Sequence, residues 1–497
     1  MTWLDALRDW GPVAALRGPL VALFDATDTA VLLYFLVINT SYLVLIVLAS
    51  LEFTHHLRRQ PFAGLEDAAS SPLTQPISVV VPTYNEEVLI VPSVRAMLAL
   101  RYPEHEVLIV DDGSTDATFE RLAAAFDLVA IPRVVPQDVW TKEGVTSVWV
   151  PSDGRTPLVV VRKANSGRSD AINVGINAAH YPLVAIVDAD SILDPDALLV
   201  VAKPFSDDPL RVVATGGVVR AVNGCRVVAG RVVDVRMPKE LLARIQVVEY
   251  LRAFLLGRTG WSRARSLLLI SGAFGLFRRD VLVESGGLDA ECIGEDFELV
   301  MSIHRRMIRS KRDYRVVFVA EPVLWTEVPA DRNVLGRQRR RWHRGLWEVL
   351  WKYRGMTFNP RYGRIGMVAL PYYWFFELIA PLMELAGIVL VPLGLVVGAV
   401  NTEFAVKFVL VAYAYALLIT LAALAVEEFS FHRYARWRDL GTAVWASVLE
   451  NVGYRQMTAW WRVQGLWSAL TKRKQVWGVM TRQGFGDEAL ERTSVGS

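Results

Sequence analysis

Leu183-Val184-Ala185-Ile186-Val187-Asp188-Ala189-Asp190 is the stretch on which the reading of this chain turns. Five apolar residues, three of them β-branched, run straight into two carboxylates one residue apart. Such a run reads as a buried strand, and in an open α/β sheet ligands gather at the carboxyl ends of the strands. Asp188 and Asp190 therefore stand where chemistry is expected. Two carboxylates at that spacing offer oxygen ligands to a hard divalent cation, which can in turn clamp a diphosphate. The plain alternative is an acidic turn opening a helix at Ser191, since Asp is common at turns and helix caps.

Working outward, the same strand, loop, helix pattern repeats. Residues 77–81 form an apolar strand ending in Pro82-Thr83-Tyr84-Asn85-Glu86-Glu87, with a helix following to about Leu100. Residues 107–110 form a second strand, ending in Asp111-Asp112-Gly113-Ser114-Thr115-Asp116. Residues 158–161 form a third, leading to Lys163-Ala164-Asn165-Ser166-Gly167-Arg168. Alternating strands and helices predict an α/β fold, a mostly parallel sheet with helices on both faces. Residues 132–157 interrupt the rhythm and read as a hairpin-like insertion. Asp111-Asp112-Gly113 needs a tight turn with backbone donors, either a lip for a nucleoside or an ordinary Asp-Gly turn. Neither a Gly-x-x-x-x-Gly-Lys-Ser/Thr loop nor a Gly-x-Gly-x-x-Gly after the first strand is present, which disfavours P-loop nucleotidases and dinucleotide enzymes.

Downstream, Ser271-Gly272-Ala273-Phe274-Gly275 is a small-residue loop, suited to a flat ligand or to a packed turn. Gly294-Glu295-Asp296 opens an amphipathic helix. An acid there is ordinarily a cap, and a general base would occupy the same exposed position facing a substrate hydroxyl. Gln338-Arg339-Arg340-Arg341-Trp342 lies in a basic aromatic helix, with Trp342, Leu346, Val349 and Leu350 at i, i+4, i+7 and i+8. That pattern suits a membrane surface, and guanidinium forks with an indole face also suit a diphosphate and a sugar ring.

The bulk numbers fit a globular domain joined to membrane spans: 497 residues, 53% hydrophobic yet 21% charged, with a mean hydropathy of +0.30. A net charge of only +3 gives no case for nucleic acid as a partner; Lys and Arg cluster near the apolar segments, where anionic lipid is the expected attraction. Cys225 and Cys292 lack metal or Cys-x-x-Cys spacing and read as buried thiols. Residues 1–30 carry few signals: Trp3, Leu4, Leu7 and Trp10 suggest an amphipathic turn or two, and no cleavable leader is evident. Residues 31–51 form the first span. A polar linker, residues 64–75, leads into the globular part. Residues 365–400, broken by Pro371, Pro381 and Pro392, read as an interfacial piece and one span, with Glu377 and Glu384 facing a wet path or protein. Residues 408–426 form a third span, and residues 440–470 are amphipathic and interfacial. Ten of the sixteen tryptophans follow residue 340, as a membrane-interface belt requires. Flanking charge places the N-terminus outside, with the globular part and the tail cytoplasmic.

The ordered set of motifs resembles the membrane-bound family-2 glycosyltransferases, the group with cellulose, hyaluronan and poly-N-acetylglucosamine synthases. The resemblance implies a GT-A-type fold over residues 76–337, an amphipathic interface region over 338–364, a membrane region over 365–426 and a tail over 427–497. It also implies a UDP-sugar donor, Mg2+ or Mn2+, and inversion at the anomeric carbon. Carried over by position, Tyr84 and Glu86 line the nucleoside pocket, Asp111 meets the base, Asp188 holds the nucleotide and Asp190 ligates the metal. Asp296 is the base; Gln338, Arg341 and Trp342 grip the diphosphate and the acceptor sugar. Arg168 replaces the family's lysine, keeping charge and adding a fork. Gly294 replaces a threonine and is expected to loosen the base loop. The implied function is a hexosyltransferase building a β-linked polysaccharide at the cytoplasmic face of the inner or plasma membrane, coupled to export. The alternative is a single addition to a ceramide- or polyprenyl-type lipid. The acceptor is thus a glycan or a lipid, membrane lipids surround the spans, and an accessory membrane subunit or self-association supplies tunnel walls that so few spans lack.

Overall fold

The computed structural model describes residues 11–59, 69, 71, 74–228, 230–431 and 436–471. Helix α1 (Gly11–Arg59) leads into strand β1 (Ile77–Thr83), helix α2 (Ile90–Leu98), β2 (His105–Asp111) and α3 (Thr118–Phe126). Then come β3 (Leu128–Ile131), β4 (Val145–Pro151), β5 (Leu158–Lys163), α4 (Arg168–Ala178), β6 (Leu183–Val187), β7 (Ile192–Leu193) and α5 (Ala197–Asp207). A second stretch holds β8 (Val212–Ala221), β9 (Arg226–Val228), β10 (Arg231–Asp234), α6 (Leu241–Leu251), a π-helical turn (Arg252–Arg258) and α7 (Thr259–Arg263). It ends with β11 (Phe274–Arg278), α8 (Arg279–Ser285), α9 (Glu295–Arg309), β12 (Arg315–Thr326) and α10 (Arg332–Lys352). The C-terminal part comprises α11 (Ala380–Val397), α12 (Thr402–Phe431), α13 (Trp437–Leu449) and α14 (Arg455–Leu470).

Ten strands form one sheet in the order β3-β4-β5-β2-β1-β6-β11-β8-β12-β7. β1, β2, β3, β5, β6, β8 and β12 run one way, and β4, β7 and β11 the other. The expected α/β sheet is therefore present, parallel through its centre and mixed at both flanks. Val79, Val80 and Val81 are all wholly buried although they alternate between faces, so both sides of the sheet are covered. Gly175 of α4 lets that helix press onto β1, since a Cβ there would sit 2.2 Å from a Val80 methyl.

Register decides where the loops emerge. Thr83 pairs with Asp111, Asp111 with Arg162, and Val80 with Ile186, so β1, β2, β5 and β6 all end on one edge. β11 runs against β6 with Phe274 opposite Val187, which brings the loop before Phe274 to that same edge.

Three readings are corrected. No helix opens at Ser191: Ile192 and Leu193 pair with Trp325 and Leu324, and α5 begins at Ala197. Residues 132–157 are more than an insertion, because β4 lies within them and extends the sheet edge between β3 and β5. The buried face of α10 holds Leu335, Arg339, His343, Val349 and Leu350, and Trp342 lies outside it at 42% exposure.

Among the described residues three helices are long and apolar enough to cross a membrane: Thr29–Thr54, Ile365–Val397 and Ala405–Val426. They associate the chain with a membrane. The segment read as an interfacial piece is part of the continuous helical run Ile365–Val397 and contains π-type turns over Ile365–Ala369 and Tyr373–Leu378. Residues 440–470 form two helices broken at Val452 and Gly453, and α14 packs along α10. The turns suggested near Trp3 and Trp10, most of the 64–75 linker and the end of the tail lie outside the described residues.

Candidate active site

The sheet edge gathers the acidic motifs, and cross-links between loops hold them. Asn85, with a left-handed φ of 55°, accepts from Thr115 N at 2.8 Å, while Glu86 N donates to Thr118 Oγ1 at 2.8 Å. The loops after β1 and β2 thus form one lip, on which Tyr84 is 47% exposed and Glu86 half-buried. Asp111 is wholly buried; its carboxylate accepts from Ser114 N at 2.9 Å and Arg162 Nε at 3.1 Å. The side chain assigned to the base is therefore turned into the protein, where it orders the lip.

Behind the lip, the buried Lys163 ammonium lies 2.7 Å from Asp112 Oδ1 and 3.1 Å from Asp170 Oδ2. Asp112 also accepts from Ser166 N and Gly167 N, fixing the loop that delivers Arg168. Gly113 is required here: its φ is +72°, and a Cβ would meet Asn165 N at 2.8 Å.

Arg168 is the hub. Its Nε and Nη2 donate to Asp188 Oδ1 at 2.9 and 2.7 Å, Nη2 also to Gly272 O at 2.7 Å, and Nη1 to Glu295 Oε1 at 2.9 Å. Burial disfavours its charge, but Asp188 and Glu295 more than offset that and raise its pKa. The pKa of Glu295 is raised as well, by burial against the pull of Arg168 and with a push from Asp296. Asp296 Oδ2 accepts from Gly272 N at 3.1 Å, and Oδ1 from Phe297 N at 2.8 Å. One guanidinium thus joins the end of β6, the loop before β11 and the start of α9. Asp190 follows Asp188 by two residues, half-buried in the turn before β7.

The α10 helix closes the far side. Gly294 and Gly345 meet backbone to backbone: a Cβ on Gly345 would stand 2.9 Å from Gly294 Cα. Ile293 N donates to Glu348 Oε2 at 3.2 Å, and Lys352 Nζ reaches Asp289 Oδ2 at 2.7 Å. Gly294 therefore tightens the loop before Asp296 against α10, contrary to the loosening expected of it. Arg341, one turn from Gly345, is close enough to lower the pKa of Glu295. Gln338 Oε1 is buried with no hydrogen-bond partner among the described residues. The Arg339 guanidinium lies 4.7 Å from the Trp342 ring centroid and is tied to Glu249 at 2.7 Å.

A family model described as Glycosyltransferase like family 2 matches residues 74–345, more than half of the chain. The protein belongs to that family. Poly-beta-1,6-N-acetyl-D-glucosamine synthase of Staphylococcus aureus is 27% identical over 301 residues, 60% of each chain. The enzyme of that name from Staphylococcus epidermidis is 27% identical over 274 residues, 55% of each. This chain thus spans about 60% of the length of the curated relative first compared. Among solved structures, a mannosyltransferase from Pyrobaculum calidifontis in complex with GDP-Man and Mn2+ is 18% identical with a TM-score of 0.47, covering 87% of this chain and 99% of that one. TarS 1–349 of S. aureus with UDP-GlcNAc is 18% identical with a TM-score of 0.34, covering 73% and 93%.

In this family-2 glycosyltransferase-like chain the acids at the sheet edge are legible as motifs, and the groups that hold them are not. Glu295 stands inside a quoted motif, yet only Asp296 drew a role, since nothing local separates an anchoring acid from a reacting one. Lys163 and Asp170 are seven residues apart, and their pairing follows only from β5 and α4 packing together.

Proposed function

We propose that this protein is an inverting glycosyltransferase that moves a hexose or N-acetylhexosamine from a UDP-sugar to a growing β-linked polysaccharide at the cytoplasmic face of the inner or plasma membrane. The observation that carries this reading is the fork of Arg168, which draws Asp188, the Gly272 loop and the Glu295–Asp296 helix start to one place. Residues 76–337 act as the catalytic domain and 338–364 as its interface with the membrane. The product named for the staphylococcal relatives supports an N-acetylhexosamine donor.

Among the described residues no three His, Cys, Asp or Glu side chains gather as a metal cage. Asp188 is bonded to Arg168, and Asp190 stands beside it at the strand end. That donor set fits a cation held by one or two carboxylates together with substrate phosphates, the habit of Mg2+ and, by extension, of Mn2+. Asp190 would hold it, and when bound it neutralises charge developing on the departing diphosphate.

The remaining steps belong to the chain's own residues. Asp296 takes the proton of the acceptor hydroxyl as that oxygen bonds to the anomeric carbon from the side opposite the diphosphate. The bond from that carbon to the diphosphate oxygen breaks, and its electron pair leaves with UDP. Gly272 N and Phe297 N keep the carboxylate aimed. Tyr84 and Glu86 flank the nucleoside, Asp111 supports the lip from behind, and Gln338 and Arg341 meet the diphosphate. The exposed Trp342 face takes the acceptor sugar.

Membranes carrying the protein, incubated with labelled UDP-N-acetylglucosamine, UDP-glucose or UDP-glucuronate, test the reading. A ladder or high-mass polymer lost on chelation is expected. A single labelled lipid would replace polymer synthesis by single addition, and no transfer from any donor would overturn both.

A further inference from the structure

A cavity of about 280 Å³ that includes none of the site residues above is lined by Glu52, Ser262, Arg263, Arg265, Arg315 and Val317. Three guanidiniums face one carboxylate, and that carboxylate is paired with Arg263 at 3.1 Å. Arg315 keeps only a loose contact, 3.6 Å, with Asp208, which Arg211 holds more closely at 2.8 Å. Arg265 has no hydrogen bond or ion pair from its side chain among the described residues. It also holds a φ of 55°, a left-handed conformation that glycine or asparagine adopts far more readily. That conformation terminates α7, with Ser266 N donating back to Trp261 O at 2.9 Å.

The cavity's position relative to the first span is fixed. Gly260 of α7 presses on α1 so closely that a Cβ would stand 2.7 Å from Leu45 O. Glu52 lies seven residues beyond Leu45, about 10 Å along the helix at 1.5 Å per residue. The cavity therefore opens where the apolar span Thr29–Thr54 ends, at the depth of the headgroup layer. A basic pocket at the end of a membrane helix suits one ligand chemistry, a phosphate-bearing anion.

We propose that Arg263, Arg265 and Arg315 form a binding site for a phosphate-bearing group of net negative charge at the membrane surface, separate from the sugar-transfer site. The proposal does not depend on the transferase reading. The probes are phosphatidylglycerol, phosphatidylcholine and inorganic phosphate, offered to the full chain in neutral detergent, with lipid retention followed through detergent exchange. Phosphatidylglycerol is expected to stay bound and phosphatidylcholine to wash out. Arg265→Gln should weaken retention about fivefold, and the triple Gln variant by about two orders of magnitude, if each arginine contributes as a surface cation does. Arg265→Lys should keep most of the binding, which separates loss of charge from loss of fold. Competition by inorganic phosphate, itself lost in the triple variant, would support the site and name the phosphate group alone as its ligand. Equal retention of the two lipids, or retention unchanged in the triple variant with no phosphate binding, would overturn it.

Discussion

At the scale of single residues, the site rests on charge arranged around Arg168. Asp296→Asn keeps an acceptor for Gly272 N or Phe297 N but removes the carboxylate proposed as the base. Transfer should fall about 10²- to 10⁴-fold while donor binding, read by calorimetry, stays within about twofold. Arg168 and Glu295 are a coupled case. Arg168→Met strands Glu295 and Asp188 without a counter-charge; because these partners are only partly buried, the cost should fall below the ~3–5 kcal/mol of breaking a fully buried pair. Because burial already pushes Glu295 toward its neutral form, Glu295→Gln in the same chain should recover part of that loss. A double-mutant cycle on melting temperature measures the recovery, and strict additivity would deny the pairing. His304 gives the pH dependence. It is buried between Leu267 O at 2.8 Å and the Tyr314 hydroxyl at 2.6 Å, and burial lowers its pKa to about 4 from 6.5. The unfolded chain then binds a proton that the folded chain refuses between those values. Stability contributed by the neutral imidazole is therefore complete above about pH 6.5 and is lost as pH falls toward 4, on the order of 3 kcal/mol in all. His304→Gln should flatten that part of the melting profile. None of these partnerships is written in local sequence: strand-end acids are legible because turn chemistry is local, whereas the partner of each acid is chosen by packing.

Among elements, the contact between α10 and the loop before α9 carries the most consequence. Gly294 and Gly345 allow two backbones to touch, and the side chains around them, Glu348 and Lys352, bond across the same seam. Gly345→Ala would drive a methyl into Gly294 and should cost about 1–3 kcal/mol as overpacking does, while shifting Asp296 away from Gly272. The expected outcome is a lower melting temperature together with reduced turnover. Gly355→Ala, where a Cβ meets nothing within 4 Å, should change neither. The four central strands were readable because each is a short apolar run closed by turn residues. β4 was not, although Val145-Thr146-Ser147-Val148-Trp149-Val150 half-alternates, because polar flanks on both sides masked it and a half-buried strand next to the sheet edge needs no continuous apolar run. The role of Gly294 was inverted for a related reason. A glycine in a motif reads as freedom until the neighbour it admits is known, and that neighbour lies fifty residues on, in another helix.

For the molecule as a whole, the question is how a sheet-edge site is held to the membrane helices, and α14 supplies the link. One side of α14 runs along α10, where Gly465 meets Arg340 O so closely that a Cβ would lie 2.4 Å away. On the same helix Arg462 Nη2 donates to Glu377 O at 2.7 Å while its Nε donates to His343 Nδ1 of α10 at 3.3 Å, and Arg455 lies 3.2 Å from Glu384. The two glutamates read from sequence as facing a wet path or protein thus meet arginines of α14. Sequence could register that such acids need company but not which helix brings it, since α14 is some eighty residues away and too polar to read as a span. The arrangement makes a prediction distinct from those above. Arg462→Leu leaves Glu377 with its partner gone in an apolar surround, so the chain should melt earlier in detergent. Arg462→Leu with Glu377→Leu removes both charges and should melt closer to the parent than the single variant does. If α14 couples the membrane helices to α10, the single variant also weakens transfer without touching any residue near Asp296, and the double variant restores stability more fully than it restores transfer. A double variant that recovers both in step would instead mean that the pair acts through overall stability alone.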